Sequence, residues 1–262
     1  TGAVLGQTAV PDGSVYLPDI AWMVNRCIVD GKTIAFSAKG GHNAEPHNHN
    51  DLGHFILHLG GESLLADLGA GVYTRQYFGP ERYEALHTGS QGHSVPVING
   101  MGQGNGRSYT ATVLNYQSQP DGVVFALDLT HAYPETAELH AFTRSFDWSV
   151  DVASRSAELR LVDAFHFGGE TAVVEECFIS LKPPTLAKGT AVWRVKQGTI
   201  TLQFDSNHWE PIFDTIASQT HAGEMITVYR LRLRIQALNP NQLEAVFTFT
   251  CQLQDEPQFN QH

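Results

Sequence analysis

A dense group of histidines lies in the stretch from Gly41 to Gly71, which reads GHNAEPHNHNDLGHFILHLGGESLLADLGAG. Seven of the thirteen histidines fall between His42 and His93. Histidine is the commonest metal ligand and the usual acid or base near neutral pH. In an extended backbone, residues i and i+2 point to the same side, so the imidazoles of His47 and His49 can converge on one point. The cluster therefore predicts a site with metal-binding or acid–base chemistry.

A β-hairpin is predicted directly after this pair. Residues 54–59 alternate, with Phe55, Leu57 and Leu59 on one face and both histidines with Ile56 on the other. Gly60-Gly61 is a strong two-residue turn signal, and residues 63–68 form the return strand. Asp67 lies near the end of the return strand, and a buried carboxylate needs a partner. A divalent metal held by two imidazoles and this carboxylate would provide one, and would keep a coordination position open.

The register of the hairpin leaves the partner of Asp67 open. A strict two-residue loop pairs position 54 with position 67, which puts His54 opposite Asp67 and His49 on the other face. A bulge at Gly53, or a three-residue loop, restores His49 as the partner. A further alternative is that Asp67 only caps a turn.

The elements that position these residues are predicted to be strands along most of the chain. Period-two alternation over many short runs, separated by Gly, Pro and Asn, indicates stacked antiparallel sheets. No long amphipathic helix is visible, so we expect an all-β fold, a large antiparallel multi-sheet β-sandwich. Residues 37–46 are predicted as a polar loop, and residues 73–91 as a long loop or short helix over the metal site. The remaining strand candidates are 15–17, 23–29, 33–37, 95–98, 110–117, 123–129, 141–145, 149–152, 158–165, 173–181, 191–196, 199–204, 225–236 and 243–252.

Length and composition set further bounds. The 262 residues suffice for one large β domain, which we expect to span 1–262, with the site in 41–108 and mainly structural sheets in 109–262. The net charge of −11 argues against nucleic acid and anionic membranes as partners. Three scattered cysteines fit neither a disulfide framework nor a thiolate zinc site. No membrane-spanning run or signal peptide is visible, and a chain that opens with Thr1-Gly2 is expected to be a piece of a longer protein, so localisation stays open.

Three segments together resemble the heparinase II/III-like polysaccharide lyases. They are HNHNDLGHF at 47–55, DLGAGVY at 67–73 and HSV at 93–95. That family includes heparin or heparan lyases and alginate or oligoalginate lyases. The resemblance is strong from about Gly40 to Gly100 and implies the C-terminal β-sandwich domain of such an enzyme.

The resemblance implies a metal ion, usually zinc, bound by His49, Asp67 and His93, with His47 facing the substrate. This donor set suits zinc best and also accepts iron, manganese or nickel. The expected activity is β-elimination in a uronic-acid-containing glycan, in which His47 helps to neutralise the uronate carboxylate. Tyr83 is the preferred catalytic tyrosine. The residues expected to contact the substrate are Asn48, Asn50, Tyr73, Tyr77 and Arg82.

A helical toroid precedes the sandwich in these lyases and supplies the tyrosine and histidine that act as acid and base. This chain is expected to begin after that domain, to have it as a partner, and to be inactive alone. Arg230, Arg232 and Arg234 alternate with apolar residues, which favours an exposed sheet face over a uronate-binding stripe.

Two other functions compete with the lyase. One is a non-catalytic carbohydrate-binding or structural sandwich with a structural metal. The less favoured one is a cupin-type metalloenzyme, because the first cupin motif needs a glutamate three or four residues after the histidine pair and the chain has Leu52, Gly53 and His54 before Phe55.

Overall fold

The computed structural model describes residues 12–79, 81–238 and 241–255. Within these ranges the helical structure consists of short 3₁₀ turns, and none of these helices is long and apolar enough to cross a membrane. The strands are β1 Gly13–Leu17, β2 Trp22–Val29, β3 Lys32–Lys39, β4 Gly41–Asn43, β5 Phe55–Leu59, β6 Glu62–Leu65, β7 Val97–Ile98, β8 Gly106–Gln119, β9 Gly122–Asp128, β10 Leu139–Asp151, β11 Ser156–Phe167, β12 Thr171–Ser180, β13 Thr185–Ala187, β14 Thr190–Val195, β15 Gly198–Gln203, β16 Glu210–Gln219, β17 Met225–Leu238 and β18 Leu243–Leu253. The 3₁₀ turns are Pro18–Ile20, Gln76–Phe78, Arg82–Glu84, Ser90–Gly92, Thr130–Ala132 and Glu135–Ala137.

The described strands form two large antiparallel sheets. The first sheet has the order β1-β2-β3-β5-β6-β12-β17-β16, and β7 pairs with β12. The second has the order β13-β14-β15-β18-β11-β10-β9-β8-β4. The prediction of an all-β antiparallel sandwich is confirmed.

Aromatic side chains from the two sheets meet in the core between them. Phe36 on β3 lies 5.4 Å from Phe146 on β10, measured between ring centroids, and Phe55 on β5 lies 5.6 Å from Phe249 on β18. All four rings are fully buried. Burying an aromatic side chain of this size contributes about 1.5–3 kcal/mol relative to leaving it exposed, so this layer fixes the two sheets face to face.

Three strand predictions were wrong in detail. The predicted polar loop 37–46 contains strand β4, whose three residues pair with β8 and give little periodicity to detect. Residues 141–145 and 149–152 belong to one continuous strand, β10. The edge strand β16 was missed, because its Pro211 and Asp214 interrupt the apolar alternation.

Candidate metal centre and substrate cleft

The hairpin that carries Asp67 contains a bulge. Leu59 pairs with Glu62 across the predicted Gly60-Gly61 turn, but Leu57 pairs with Leu65, which leaves Leu64 as an extra residue. The bulge shifts the register by one, so position 67 no longer pairs with position 54 as a strict two-residue loop would require. Asp67 therefore lies beyond the end of β6, where its Oδ1 accepts a hydrogen bond of 2.6 Å from the Gly69 amide.

The structure brings His49, Asp67 and His93 together. Nδ1 of His93 is 3.4 Å from Asp67 Oδ2, and Nδ1 of His49 is 3.9 Å from the same oxygen. The two imidazole rings are 5.1 Å apart between centroids. Asp51 completes a group whose ligand atoms all lie within 4.8 Å of one another. Two imidazoles and a carboxylate are a donor set that suits zinc, and Asp51 offers a further oxygen.

His93 is oriented for ligation by a hydrogen bond on the far side of its ring. Its Nε2 lies 3.1 Å from the His87 carbonyl oxygen, so Nε2 carries the proton and donates. Nδ1 is buried, faces the cluster and has no hydrogen-bond partner. A buried unpaired nitrogen is costly unless a ligand satisfies it, and a backbone carbonyl on the other ring nitrogen is how metal-binding histidines are commonly held. The residues present therefore fit a metal ion.

His54 contacts the backbone of the His93 segment. Its Nδ1 accepts a 2.9 Å hydrogen bond from the Ser94 amide, and its ring stands edge-on to His93 with 5.2 Å between centroids. Its Nε2 is buried and unpaired. The structure thus places His54 behind His93, and it places His49 beside Asp67.

Burial and the local charges perturb all four groups. Burial lowers the pKa of His49 to about 4 and that of His54 to about 4, and the nearby His93 acts in the same direction. Burial alone would raise the pKa of Asp67, but its contact with His93 holds that pKa well below the usual value. Burial alone would lower the pKa of His93, yet the Asp67 carboxylate raises it. His49 is thus held neutral beside the ionised Asp67, and these are the protonation states that metal binding requires. The Asp67 carboxylate favours a proton on His93, and a bound metal would displace that proton.

Asp51 is a candidate that the sequence reasoning missed. It is buried, and its Oδ1 accepts a 2.6 Å hydrogen bond from Lys39 Nζ. Its position two residues after His49 was the available signal, because in an extended backbone that spacing returns a side chain to the same side. The lysine balances the charge of this buried carboxylate.

A cleft of about 400 Å³ opens beside the cluster. His47, His49, Asp51 and Asp67 line one part of it, and the rest of the wall consists of Ile20, Trp22, Lys39, Gly40, Glu45, Pro46 and Asn48. The exposed His47 has a positive φ of 60°. This left-handed conformation is uncommon for a residue other than glycine and recurs at functional sites.

A loop that contains four of the predicted residues packs against Asn48. Tyr83 donates a 2.9 Å hydrogen bond from its hydroxyl to Asn48 Oδ1, and Arg82 donates a 3.0 Å hydrogen bond from Nη2 to the Asn48 carbonyl. The Arg82 guanidinium also lies 4.6 Å from the ring centroid of Tyr77, and the ring of Tyr73 lies 5.0 Å from that of Tyr77. The structure therefore joins Tyr83 and Arg82 directly to the segment that carries His47.

Asn50 is buried, and its side chain is part of the loop framework. Its Nδ2 donates a 3.1 Å hydrogen bond to the Gln103 carbonyl, and its backbone amide donates to the Thr88 carbonyl. It lines a neighbouring cleft together with Tyr83. Asn50 is thus separated from the wall that His47 and Asn48 share.

A buried arginine ties the two histidine segments together. Arg144 Nη1 donates 3.0 Å hydrogen bonds to the carbonyls of Gly53 and Ser94, and its other nitrogens bind the carboxylates of Asp163 and Glu176. Burial and the neighbouring Asp163 raise the pKa of Glu176 well above its usual value. One cation and one ionised carboxylate then balance each other, and the guanidinium holds the backbone on both sides of the cluster.

The arginine stripe on β17 is satisfied by acids on neighbouring strands. Arg230 and Arg232 bind Asp214 at 3.0 and 2.9 Å, and Arg232 and Arg234 approach Glu175 at 2.8 and 3.6 Å. These pairs form a charged network on a sheet face, which weighs against a role in binding a uronate.

Comparison with known proteins gives the family. Residues 11–250 match the family model for the heparinase II/III-like C-terminal domain. No curated protein sequence matches the chain.

Several solved structures share the fold. The heparan sulfate lyase HepC from Pedobacter heparinus aligns with a TM-score of 0.74 and 13% identity over 95% of this chain and 38% of that one. A HepC mutant gives a TM-score of 0.72 at 14% identity with the same coverage, and a heparinase III gives 0.71 at 13% over 95% of this chain and 37% of that one. The chain thus spans well under half the length of these enzymes. Because the family model covers nearly all of the sequence, this chain belongs to the heparinase II/III-like C-terminal domain family.

Proposed function

We propose that this chain is the C-terminal domain of a polysaccharide lyase that cleaves uronic-acid-containing glycans, of the heparan or alginate type, by β-elimination. The observation that carries the proposal is that His49, Asp67 and His93 converge beside a cleft whose wall also presents His47. In the reaction, a base removes the C5 proton, the C4–oxygen bond breaks, and a C4–C5 double bond forms as an acid protonates the leaving oxygen.

His49, Asp67 and His93 would hold zinc, and the buried Asp51 offers a fourth ligand. The bound cation would supply positive charge next to the cleft and fix the segment that carries His47. We favour this structural role, because the candidate ligands all come from this one domain.

His47 would help to neutralise the uronate carboxylate. The C5 proton is only weakly acidic while the adjacent carboxylate keeps its full charge, so hydrogen-bond donors at that carboxylate lower the barrier. Exposed in the cleft, the imidazole of His47 has room to make such a contact, with the amide of Asn48 beside it.

Tyr83 is the tyrosine of this chain that we assign to proton transfer, and it lines the neighbouring cleft. We assign Tyr73, Tyr77 and Arg82 to the sugar site as residues of the adjoining loop, outside the wall of the His47 cleft. The Tyr83 hydroxyl is hydrogen-bonded to Asn48, one residue from His47. An N-terminal helical domain of the parent protein would supply the remaining acid and base groups, so the isolated chain is expected to be inactive.

The test is product formation by the full-length parent protein on heparan- and alginate-derived oligosaccharides. β-Elimination creates a conjugated C4–C5 double bond, which is followed by ultraviolet absorbance. His47→Ala should abolish the signal, and His208→Ala, a change at an exposed histidine paired with Asp205, should leave it unchanged. Wild-type protein that forms no unsaturated product from any uronate glycan would contradict the proposal.

A second candidate is a non-catalytic carbohydrate-binding domain. The observation that favours it is that the cleft combines the aromatic Trp22 with polar groups of Lys39 and Asn48, a composition that binding alone would use. Glycan binding by the full-length protein without any unsaturated product would support this candidate.

A further inference from the structure

One tryptophan differs in its environment from the other three. Trp148, Trp193 and Trp209 are buried, whereas 43% of Trp22 is exposed. Trp148 donates from its indole nitrogen to Asn25, and Trp193 donates to Ser180. Trp22 is therefore a large aromatic surface that core packing does not require.

Trp22 lies in the wall of the cleft that contains His47 and His49. It pairs across the sheet with Lys39, whose Nζ is 5.8 Å from the centroid of the Trp22 ring. Lys39 in turn binds Asp51 of the metal cluster at 2.6 Å. Lys39 thus links the ring of Trp22 to Asp51 in the candidate metal centre.

We propose that Trp22 is a stacking platform for one pyranose ring of the glycan, a subsite that rests on the proposed lyase function of the same cleft. A pyranose ring has an apolar C–H face and a polar rim. Trp22 and Ile20 offer an apolar surface to the face, while Lys39, His47 and Asn48 in the same wall offer polar groups to the rim. Large apolar surface combined with a few placed polar groups is the usual composition of a small-molecule site, and about 300–1,000 Å³ is its usual volume.

The neighbouring strand provides a way to separate a sugar platform from a protein contact. Leu17 on β1 pairs with Trp22, Val15 pairs with Val24, and all four side chains are exposed. Of these, Trp22 lines the cleft with His47, and Leu17 does not. A protein partner covering the patch would contact both Leu17 and Trp22, whereas a sugar in the cleft would depend on Trp22.

The first measurement is tryptophan fluorescence of this chain with acrylamide as a surface quencher. Because three tryptophans are buried, quenching reports mainly on Trp22. A tetrasaccharide from alginate or heparan sulfate should protect the exposed fluorescence, and the protection should disappear in Trp22→Phe.

Calorimetric titration with the same tetrasaccharide gives the size of the effect. Trp22→Ala should weaken binding about tenfold, as expected for removing one aromatic face, and Trp22→Phe should recover most of that loss. Leu17→Ala is the matched control and should bind like the wild type. Zinc content should stay the same in all three variants, because none of the changed residues belongs to the cluster.

Unchanged affinity in Trp22→Ala would overturn the platform, as would an absence of binding to any glycan. Equal changes in self-association for Trp22→Ala and Leu17→Ala, without an effect on sugar affinity, would also overturn it and indicate a protein interface. A neutral cello-oligosaccharide that binds through Trp22 while uronates do not would support the platform and contradict the uronate lyase. Product formation by the full-length protein decides the lyase independently.

Discussion

Replacing Arg144 with lysine tests how the fold holds the proposed metal site. Arg144 makes five hydrogen bonds, two of them to the carbonyls of Gly53 and Ser94. A lysine keeps the charge but has at most three donors on a single nitrogen. At least two buried acceptors then lose their partner.

The cost follows from the burial of these groups. Each buried acceptor left without a donor costs about 1–3 kcal/mol, so the lysine variant should lose about 2–6 kcal/mol of unfolding free energy. Domains of this kind are stable by about 5–15 kcal/mol, so a folded population should remain. Arg144→Met would also leave the Asp163 carboxylate buried without its cation, at about 3–5 kcal/mol more, and is the poorer probe.

The assay compares zinc affinity with stability. Because Arg144 holds the backbone next to His54 and His93, Arg144→Lys should weaken zinc binding about 10–100-fold, the range typical for residues that orient metal ligands. Phe146→Ala is the matched control. Phe146 is fully buried on the same face of β10, its loss should cost about 3–5 kcal/mol, and no zinc effect is expected.

Two results would refute this reasoning. One is Arg144→Lys with the expected loss in urea unfolding and wild-type zinc affinity, which would make the arginine purely a folding element. The other is an equal fall in zinc affinity for Phe146→Ala under conditions where both variants are folded, which would make the effect a general consequence of destabilisation.

Three further changes have defined outcomes. His54→Asn keeps an acceptor for the Ser94 amide but removes a group whose pKa in the folded protein, about 4, lies below its usual 6.5. The contribution of His54 to the free energy of unfolding is therefore complete above about pH 6.5 and is lost as the pH falls towards 4. Urea unfolding of metal-free protein should therefore show a pH slope flatter by about 1.4 kcal/mol per unit between these values, and an unchanged slope would contradict the assignment. Glu176→Gln should stabilise the protein at pH 7 and not at pH 4. Because the pKa of Glu176 is raised in the folded protein, this residue lowers the free energy of unfolding once the pH rises above the usual pKa of a glutamate. Destabilisation at pH 7 in the same urea series would count against this prediction. Tyr83→Phe should cost about 1 kcal/mol of stability by losing one hydrogen bond to Asn48, yet lower product formation by the full-length protein about 100-fold or more; near-normal turnover would remove Tyr83 from catalysis.

The sheets were predictable because buried strands repeat every two residues. The same periodicity contained a signal that was not used. Arg144 alternates with Phe142 and Phe146 on the inward face of β10, and Asp163 alternates with Leu161 and Phe165 on β11. A charge on an inward-facing register needs a buried partner, so these residues could have been paired from the sequence.

The geometry of the site was less accessible. The bulge at Leu64 leaves no trace in the sequence, because Leu64 and Leu65 are both apolar and either could face inward. That one extra residue decides whether Asp67 faces His54 or lies beyond the strand near His49. The register of a strict two-residue loop therefore favoured His54 as the partner of Asp67. The assignment of His49, Asp67 and His93 as metal ligands depended on the resemblance to the lyase family.

The sugar-facing part of the cleft was likewise beyond pattern analysis. Trp22 and Lys39 come from β2 and β3, well before the histidine segment, and only the sheet register places them beside Asp51. Side chains that are brought together by long-range pairing leave no local spacing to recognise.

The measurement that tests the central claim most directly is the metal content of the purified chain by plasma mass spectrometry. Wild type should contain about one zinc per chain after dialysis against zinc-containing buffer and removal of free metal. His49→Ala should lose it and His54→Asn should retain it, because the structure places His49 beside Asp67 and His54 on the Ser94 amide. No bound metal in the wild type, or a metal that depends on His54 and survives loss of His49, would contradict the proposed centre.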